Sequence, residues 1–225
     1  MISPVLLSEV VLPDFHPRAG AACVVFGFVV HHPEGPVLVD TGVGTGRVDI
    51  DSLFAPVHHP IEDTLAAVGV QLTEVRMVIN SHLHFDHCGN NQLFPGVPLV
   101  VQRAEYEEAQ QPGYTIPEWI DFPGAEWRPI DGEAEVVPGI RVLPTPGHTP
   151  GHQSVLVARA EGVDVIAGQA VYDTDELDAE ASIEPIDEVE AEQTSTSARR
   201  IKAANPARVF FSHDSRVWTP PRHRG

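Results

Sequence analysis

His82-Leu83-His84-Phe85-Asp86-His87 places three imidazoles and one carboxylate within six residues. Such side chains are mostly found at the surface and have little packing reason to cluster. The run follows Glu74-Val75-Arg76-Met77-Val78-Ile79-Asn80, whose apolar centre reads as a short buried strand. Donors held at the end of a strand are preorganised for a metal. In extended backbone, side chains alternate between faces, so His82 and His84 point the same way and can grip one ion. Asp86 and His87 come after a bend and can reach a second. Neutral imidazole and carboxylate suit zinc, and they also suit iron or manganese. The plain alternative, a solvated polar loop, leaves the matching donors elsewhere in the chain unexplained.

Three further segments carry such donors in order. Val37-Leu38-Val39-Asp40-Thr41-Gly42 is an apolar strand ending in Asp-Thr-Gly. Thr145-Pro146-Gly147-His148-Thr149-Pro150-Gly151-His152 is a loop with a pair of histidines, and Phe210-Phe211-Ser212-His213-Asp214 ends a short apolar run. Together with His-x-His-x-Asp-His, these segments resemble the metallo-β-lactamase superfamily of hydrolases, from about Phe26 to His213. Within it, the Pro-Gly-His-Thr-Pro-Gly-His-Gln-Ser loop and Val101-Gln102-Arg103-Ala104-Glu105-Tyr106 look most similar to N-acyl homoserine lactonases.

The resemblance implies a ligand set. The first metal takes His82, His84 and His148; the second takes Asp86, His87 and His213. Asp40 would sit behind them and orient a ligand histidine through its other ring nitrogen, or else serve as a turn residue before Gly42. His152 reads as a supporting residue rather than a ligand. One departure stands out. Relatives carry a bridging Asp, commonly followed three residues later by Tyr, whereas this chain reads Gln169-Ala170-Val171-Tyr172. An amide bridges two cations poorly, because it brings no charge to offset their repulsion. Gln169 therefore predicts weakened or incomplete occupancy of one site, unless the nearby Asp173 or Asp175 compensates. Asp86 and Tyr172 are the implied catalytic residues. Asp86 would relay a proton, and the Tyr172 hydroxyl would stabilise an oxyanion; a buried aromatic with a satisfied hydroxyl is the simpler role for Tyr172.

At 225 residues the chain fits a single domain, residues 1–225, large enough to bury a substantial core. A net charge of −18 repels polyanions and argues against a nuclease, which needs basic surface for phosphate contacts. Cys23 and Cys88 make no disulfide framework. Cys23 lies in an apolar run and reads as a buried thiol; Cys88 directly follows His87 and could be a ligand or nucleophile. No basic, apolar leader is visible at the N-terminus, and no run is long enough to span a bilayer. The expectation is a cytoplasmic monomer or homodimer acting on a small neutral amphipathic substrate, with neither nucleic acid nor membrane as partner.

Short β runs alternate with helical stretches. Ala21–Val30 and Pro36–Asp40 read as paired strands around the His31–Gly35 turn. Pro60–Val68 reads as a helix with Ile61, Leu65 and Val68 on one face. Val75–Asn80 and Val97–Val101 are strands, Arg103–Gln111 is helical, and Pro129–Val142 holds two or three strands. A hairpin turns at Glu161-Gly162, Pro185–Ala204 is a long helix, Arg208–Ser212 is the closing strand, and Pro220–Gly225 is frayed. The acidic stretch Asp173–Glu192 reads as a solvated face. Leu53, Phe54, Tyr114, Ile116, Trp119 and Phe122 fall in loop-like stretches and would line an apolar channel or serve as core or lid packing. This clustering predicts an α/β fold of two sheets packed face to face with helices outside. That agrees with the four-layer αββα sandwich of two mixed β-sheets that the resemblance implies.

The resemblance implies a metal-dependent hydrolase, with one or two Zn2+ per chain, that uses a metal-bound hydroxide to open a lactone of the N-acyl homoserine type or a related ester. Three alternatives carry different expectations. A thioesterase or β-lactam-cleaving enzyme would share the metal chemistry. An oxygen-using enzyme would hold one mononuclear iron. A non-catalytic relative would keep the metal for structure alone.

Overall fold

Val37–Val39 and Met77–Ile79 are fully buried strands that lie side by side in parallel, and Pro98–Gln102 continues the parallel set. The computed structural model describes residues 1–160, 162–182 and 187–220. The chain divides into two compact units, Met1–Ile130 and Asp131–Gly225.

In the first unit these strands belong to a mixed sheet. Its order is Val57–His58, Ile2–Val11, Ala22–Val30, Val37–Val39, Met77–Ile79, Pro98–Gln102 and Glu126–Ile130. Short β-branched runs with no polar interruption are what a strand covered on both faces requires. Helix Ile61–Ala67 turns Ile61 and Leu65 inward onto a core with Val5, Leu38, Val78 and Phe94. Burying a side chain the size of Leu65 or Phe94 contributes about 1.5–3 kcal/mol. The parallel arrangement brings the C-terminal ends of Val37–Val39 and Met77–Ile79 to one edge. There Asp40 N–H donates to the Ile79 carbonyl at 3.0 Å, and the loops that follow begin together.

The second unit holds a smaller mixed sheet in the order Pro206–Phe210, Gly162–Ile166, Gln153–Arg159, Ile140–Pro144 and Ala134–Val137. Pro206–Phe210 is parallel to Gly162–Ile166, and the other neighbours are antiparallel. Helix Glu188–Ala203 is capped by Asp187, whose carboxylate accepts from the Val189 and Glu190 N–H groups. The helix contributes Ala198 and Ile201 to a core with Leu156, Val165 and Val209. The parallel pair again sends two loops out at one edge. Ala167 N–H reaches the Phe210 carbonyl at 2.8 Å, and Ser212 N–H reaches the Gly168 carbonyl at 3.0 Å.

The two expected mixed sheets with helices are present, and four assignments change. Strand Ile2–Val11 was not expected, because Pro4, Ser8 and Glu9 break its alternation; it is paired along nearly its whole length with Ala22–Val30. Leu53 and Phe54 end helix Val48–Phe54 rather than lying in a loop. Trp119 lies in helix Pro117–Ile120 rather than in a loop, and at 3% exposure it takes the core-packing alternative. The acidic stretch is not one solvated face: Asp173 caps helix Thr174–Ala179, and Glu176 is buried. The expected long helix begins at Glu188, after residues 183–186, which lie outside the described residues. Glu161 of the expected hairpin turn, and residues 221–225 of the end expected to fray, also lie outside them. Among the described residues, no helix is long and apolar enough to cross a membrane.

Candidate functional site

The edge of the first sheet carries the donor run. His82 is fully buried at the start of the loop after Met77–Ile79, and the chain then turns into the short helix Phe85–Cys88. The rings of His82 and His84 lie 4.7 Å apart at 81°, and those of His82 and His87 lie 4.0 Å apart. Donor atoms of His82 and His84 come within 4.8 Å of each other, as do those of Asp86 and His87. The bend after His84 therefore produces the two pairs expected from the spacing.

Asp40 organises this cluster. Its backbone stands at φ 60, which few residues other than glycine adopt readily. Its carboxylate accepts from the Ser81 N–H and the Ser81 hydroxyl, both at 2.7 Å, and from His87 Nδ1 at 2.9 Å. The Ser81 hydroxyl spends its proton on Asp40, so at 3.1 Å it accepts from His82 Nδ1. In both rings the Nδ1 proton is thus committed to the protein, which leaves Nε2 as the nitrogen with a lone pair to offer a cation. This is the expected orienting role, and the donor set fits a borderline divalent metal such as zinc.

Charge follows from this geometry. Burial pushes His84 down to about 4, with the charge on His87 acting the same way and Asp86 opposing it. His84 is therefore neutral at pH 7, the form that binds metal. Burial would lower His87 too, but the carboxylates of Asp86 and Asp40 hold it up to about 10. A cation at Nε2 would take the place of that proton.

Two supports were not singled out from the sequence as functional. Glu105 is fully buried and accepts from the Leu83 N–H, between the histidines, at 2.8 Å; it also accepts from the Tyr114 hydroxyl. The Tyr114 ring lies 4.9 Å from that of His84. Glu105 does fall within the Val101–Tyr106 segment, so a signal was there without a role attached. The second support is a close approach of two glycines. Gly89 N–H donates to the Gly42 carbonyl at 2.9 Å, and a Cβ on Gly89 would stand 1.9 Å from the Gly44 nitrogen. Cys88 is fully buried: burial pushes its thiol up to about 12, and its Sγ donates to the Leu83 carbonyl at 3.3 Å.

The edge of the second sheet carries the remaining expected residues. His148 is half-buried in the loop that precedes Gln153–Arg159. His152 is fully buried and accepts from the Gln169 N–H through Nε2 at 3.0 Å. Its Nδ1 proton therefore goes to Thr145 Oγ1 at 3.0 Å. The chain continues through Ser154 to the Ala167 carbonyl. His152 thus anchors the loop bearing Gln169. The Gln169 amide oxygen lies 3.0 Å from His213 Nε2, and the Tyr172 ring stacks on His213 at 5.0 Å. Glu176 fixes Tyr172 by accepting its N–H at 2.7 Å. His31 pairs with Ser3, and His59 pairs with Glu9.

Comparison with known proteins agrees with these motifs. Residues 20–213 match the family model described as "Metallo-beta-lactamase superfamily". An N-acyl homoserine lactonase of a Bacillus species is 35% identical, with 84% of this chain and 81% of the relative covered. The N-acyl homoserine lactonase AttM of Rhizobium johnstonii is 31% identical, with 85% and 82% covered. Among solved structures, a Bacillus thuringiensis AiiA mutant with N-decanoyl-L-homoserine bound at the active site superposes with a TM-score of 0.80. Its identity is 29%, over 95% of this chain and 93% of that one.

Proposed function

This chain belongs to the metallo-beta-lactamase superfamily, and from that premise we propose that it is a metal-dependent hydrolase that opens the lactone ring of an N-acyl homoserine lactone or a close relative. The observation that carries the reading is the buried Asp40–Ser81–His82–His87 network, which engages Nδ1 of both histidines and leaves Nε2 of each to face a cation. We assign a first cation to His82, His84 and His148, and a second to Asp86, His87 and His213. What supports that assignment is the order of the motifs along the chain and the donor chemistry of each residue. The single family model running through both compact units supports one domain.

When bound, a divalent cation polarises a carbonyl and acidifies water. The residues of the chain supply the rest. Asp86 carries a second carboxylate oxygen that can take a proton from water and return it to the leaving alkoxide. Tyr172, held by Glu176 and stacked on His213, donates its hydroxyl to the developing oxyanion. Zinc suits the five imidazoles and one carboxylate of the set, with iron or manganese as substitutes. A neutral amphipathic substrate suits a chain of net charge −18. Two buried cysteines, Cys23 and Cys88, suit a reducing compartment such as the cytoplasm, where the chain would work as a monomer or homodimer.

The test is proton release in a pH-stat. Zinc-loaded protein should acidify a solution of N-hexanoyl homoserine lactone, and the His84→Ala protein should not. Equal turnover by His84→Ala, or hydrolysis of a thioester or β-lactam with the lactone left intact, would overturn the assignment.

A further inference from the structure

The six proposed donors include one anionic group, Asp86. Two divalent cations would therefore sit close together with almost nothing between them to offset their repulsion. In the order of the motifs, Gln169 stands where the resemblance implies a bridging Asp. It is 8% exposed, and its backbone is pinned by His152. Its side-chain oxygen can only accept, so the proton shared with His213 sits on Nε2 at 3.0 Å. Coordination through that nitrogen requires the hydrogen bond to break and the ring proton to move to Nδ1. The neighbouring acids are committed elsewhere. Asp173 caps the helix Thr174–Ala179, Asp175 and Asp214 hold Arg216, and Glu176 holds the Tyr172 N–H.

Resting on the ligand assignment above, we propose that Gln169 makes the two cation sites unequal. The histidine set of His82, His84 and His148 binds tightly. The set of Asp86, His87 and His213 binds weakly, because an ion there must displace Gln169 from His213 and lacks a second carboxylate to share. Gln169 is thus a positioning residue that sets metal stoichiometry.

The experiment is equilibrium dialysis of the metal-stripped protein against zinc alone, with bound zinc counted per chain, repeated for Gln169→Asp and His213→Ala. The wild type should bind one ion tightly and the next at least about tenfold more weakly. Gln169→Asp should strengthen the second step by about 10- to 100-fold. His213→Ala should erase that step and leave the first unchanged. Two equally tight ions in the wild type would overturn the inference and leave the proposed function standing. An unchanged gap in Gln169→Asp, or loss of the tight ion in His213→Ala, would also overturn it. A chain that binds no zinc would overturn both readings. If circular dichroism shows Gln169→Asp to be unfolded, the wild-type isotherm and His213→Ala decide.

Discussion

The Asp40 carboxylate lies 2.9 Å from His87 Nδ1, and neither side chain is more than 1% exposed. The same carboxylate holds Ser81 by two hydrogen bonds, so one residue aims two histidines. Asp40→Asn keeps the shape but makes one arm of the carboxamide a donor, which faces the Ser81 hydroxyl and His87 Nδ1 poorly. Zinc affinity should fall by about 10- to 100-fold, as for other outer-sphere partners of metal-bound histidine. Competition against a chromophoric chelator measures this. Unchanged affinity would remove Asp40 from the site.

His87 sets the pH dependence. With the folded value raised from 6.5 to about 10, the proton stabilises the metal-free fold fully below pH 6.5, and that contribution is lost as pH rises through 10. A cation at Nε2 must expel the proton, so metal binding and protonation oppose each other. Zinc affinity of the set that includes His87 should therefore rise with pH, by roughly tenfold per unit between pH 7 and 8.5, with about one proton released as that site fills. Calorimetry in buffers of different ionisation enthalpy counts the protons. A pH-independent affinity would contradict the geometry around Asp40 and Asp86.

The donor run was legible because its chemistry is local: spacing alone separated His82 and His84 from Asp86 and His87, and the short helix Phe85–Cys88 supplies the bend. The strands Val37–Val39 and Met77–Ile79 were legible because burial on both faces demands an unbroken apolar run. The first strand was not, because Ser8 faces inward, is fully buried and lies within reach of the Val43 N–H. Glu105 reads as one more helical acid until its partner, the N–H of Leu83, arrives from 22 residues away. Asp173 and Asp175 looked available beside Gln169, and only the helix cap and Arg216 show where their charges go. Residues read by pattern were found; residues defined by one distant partner were not.

Glu105 carries a prediction of its own. Its carboxylate braces the backbone between the first two ligands, so Glu105→Ala leaves the buried Leu83 N–H without its acceptor. The loss of stability should be about 1–3 kcal/mol, with a parallel loss of zinc affinity. Glu105→Gln keeps a carbonyl acceptor and should recover most of both. Thermal melts of the metal-free and zinc-loaded proteins separate the two effects. If the alanine variant lowers stability but leaves zinc affinity intact, Glu105 braces the fold and not the ligands.

Gly89 follows the last residue of the helix that carries Asp86 and His87. A methyl group there would stand 1.9 Å from the Gly44 nitrogen and 2.7 Å from its Cα. Both obstacles are backbone, which cannot rotate aside as a side chain can, so one of the two loops must move. Gly89→Ala should cost at least about 1–3 kcal/mol and should weaken zinc binding, because the displaced segment is hydrogen-bonded through Thr41 N–H to the His87 carbonyl at 2.8 Å. Gly69→Ala is the control. It adopts φ +77 with open space around its Cβ, so it should cost about 1 kcal/mol of backbone strain and leave zinc affinity unchanged. Equal effects of the two substitutions on zinc binding would show that the contact between Gly44 and Gly89 does not hold the ligands.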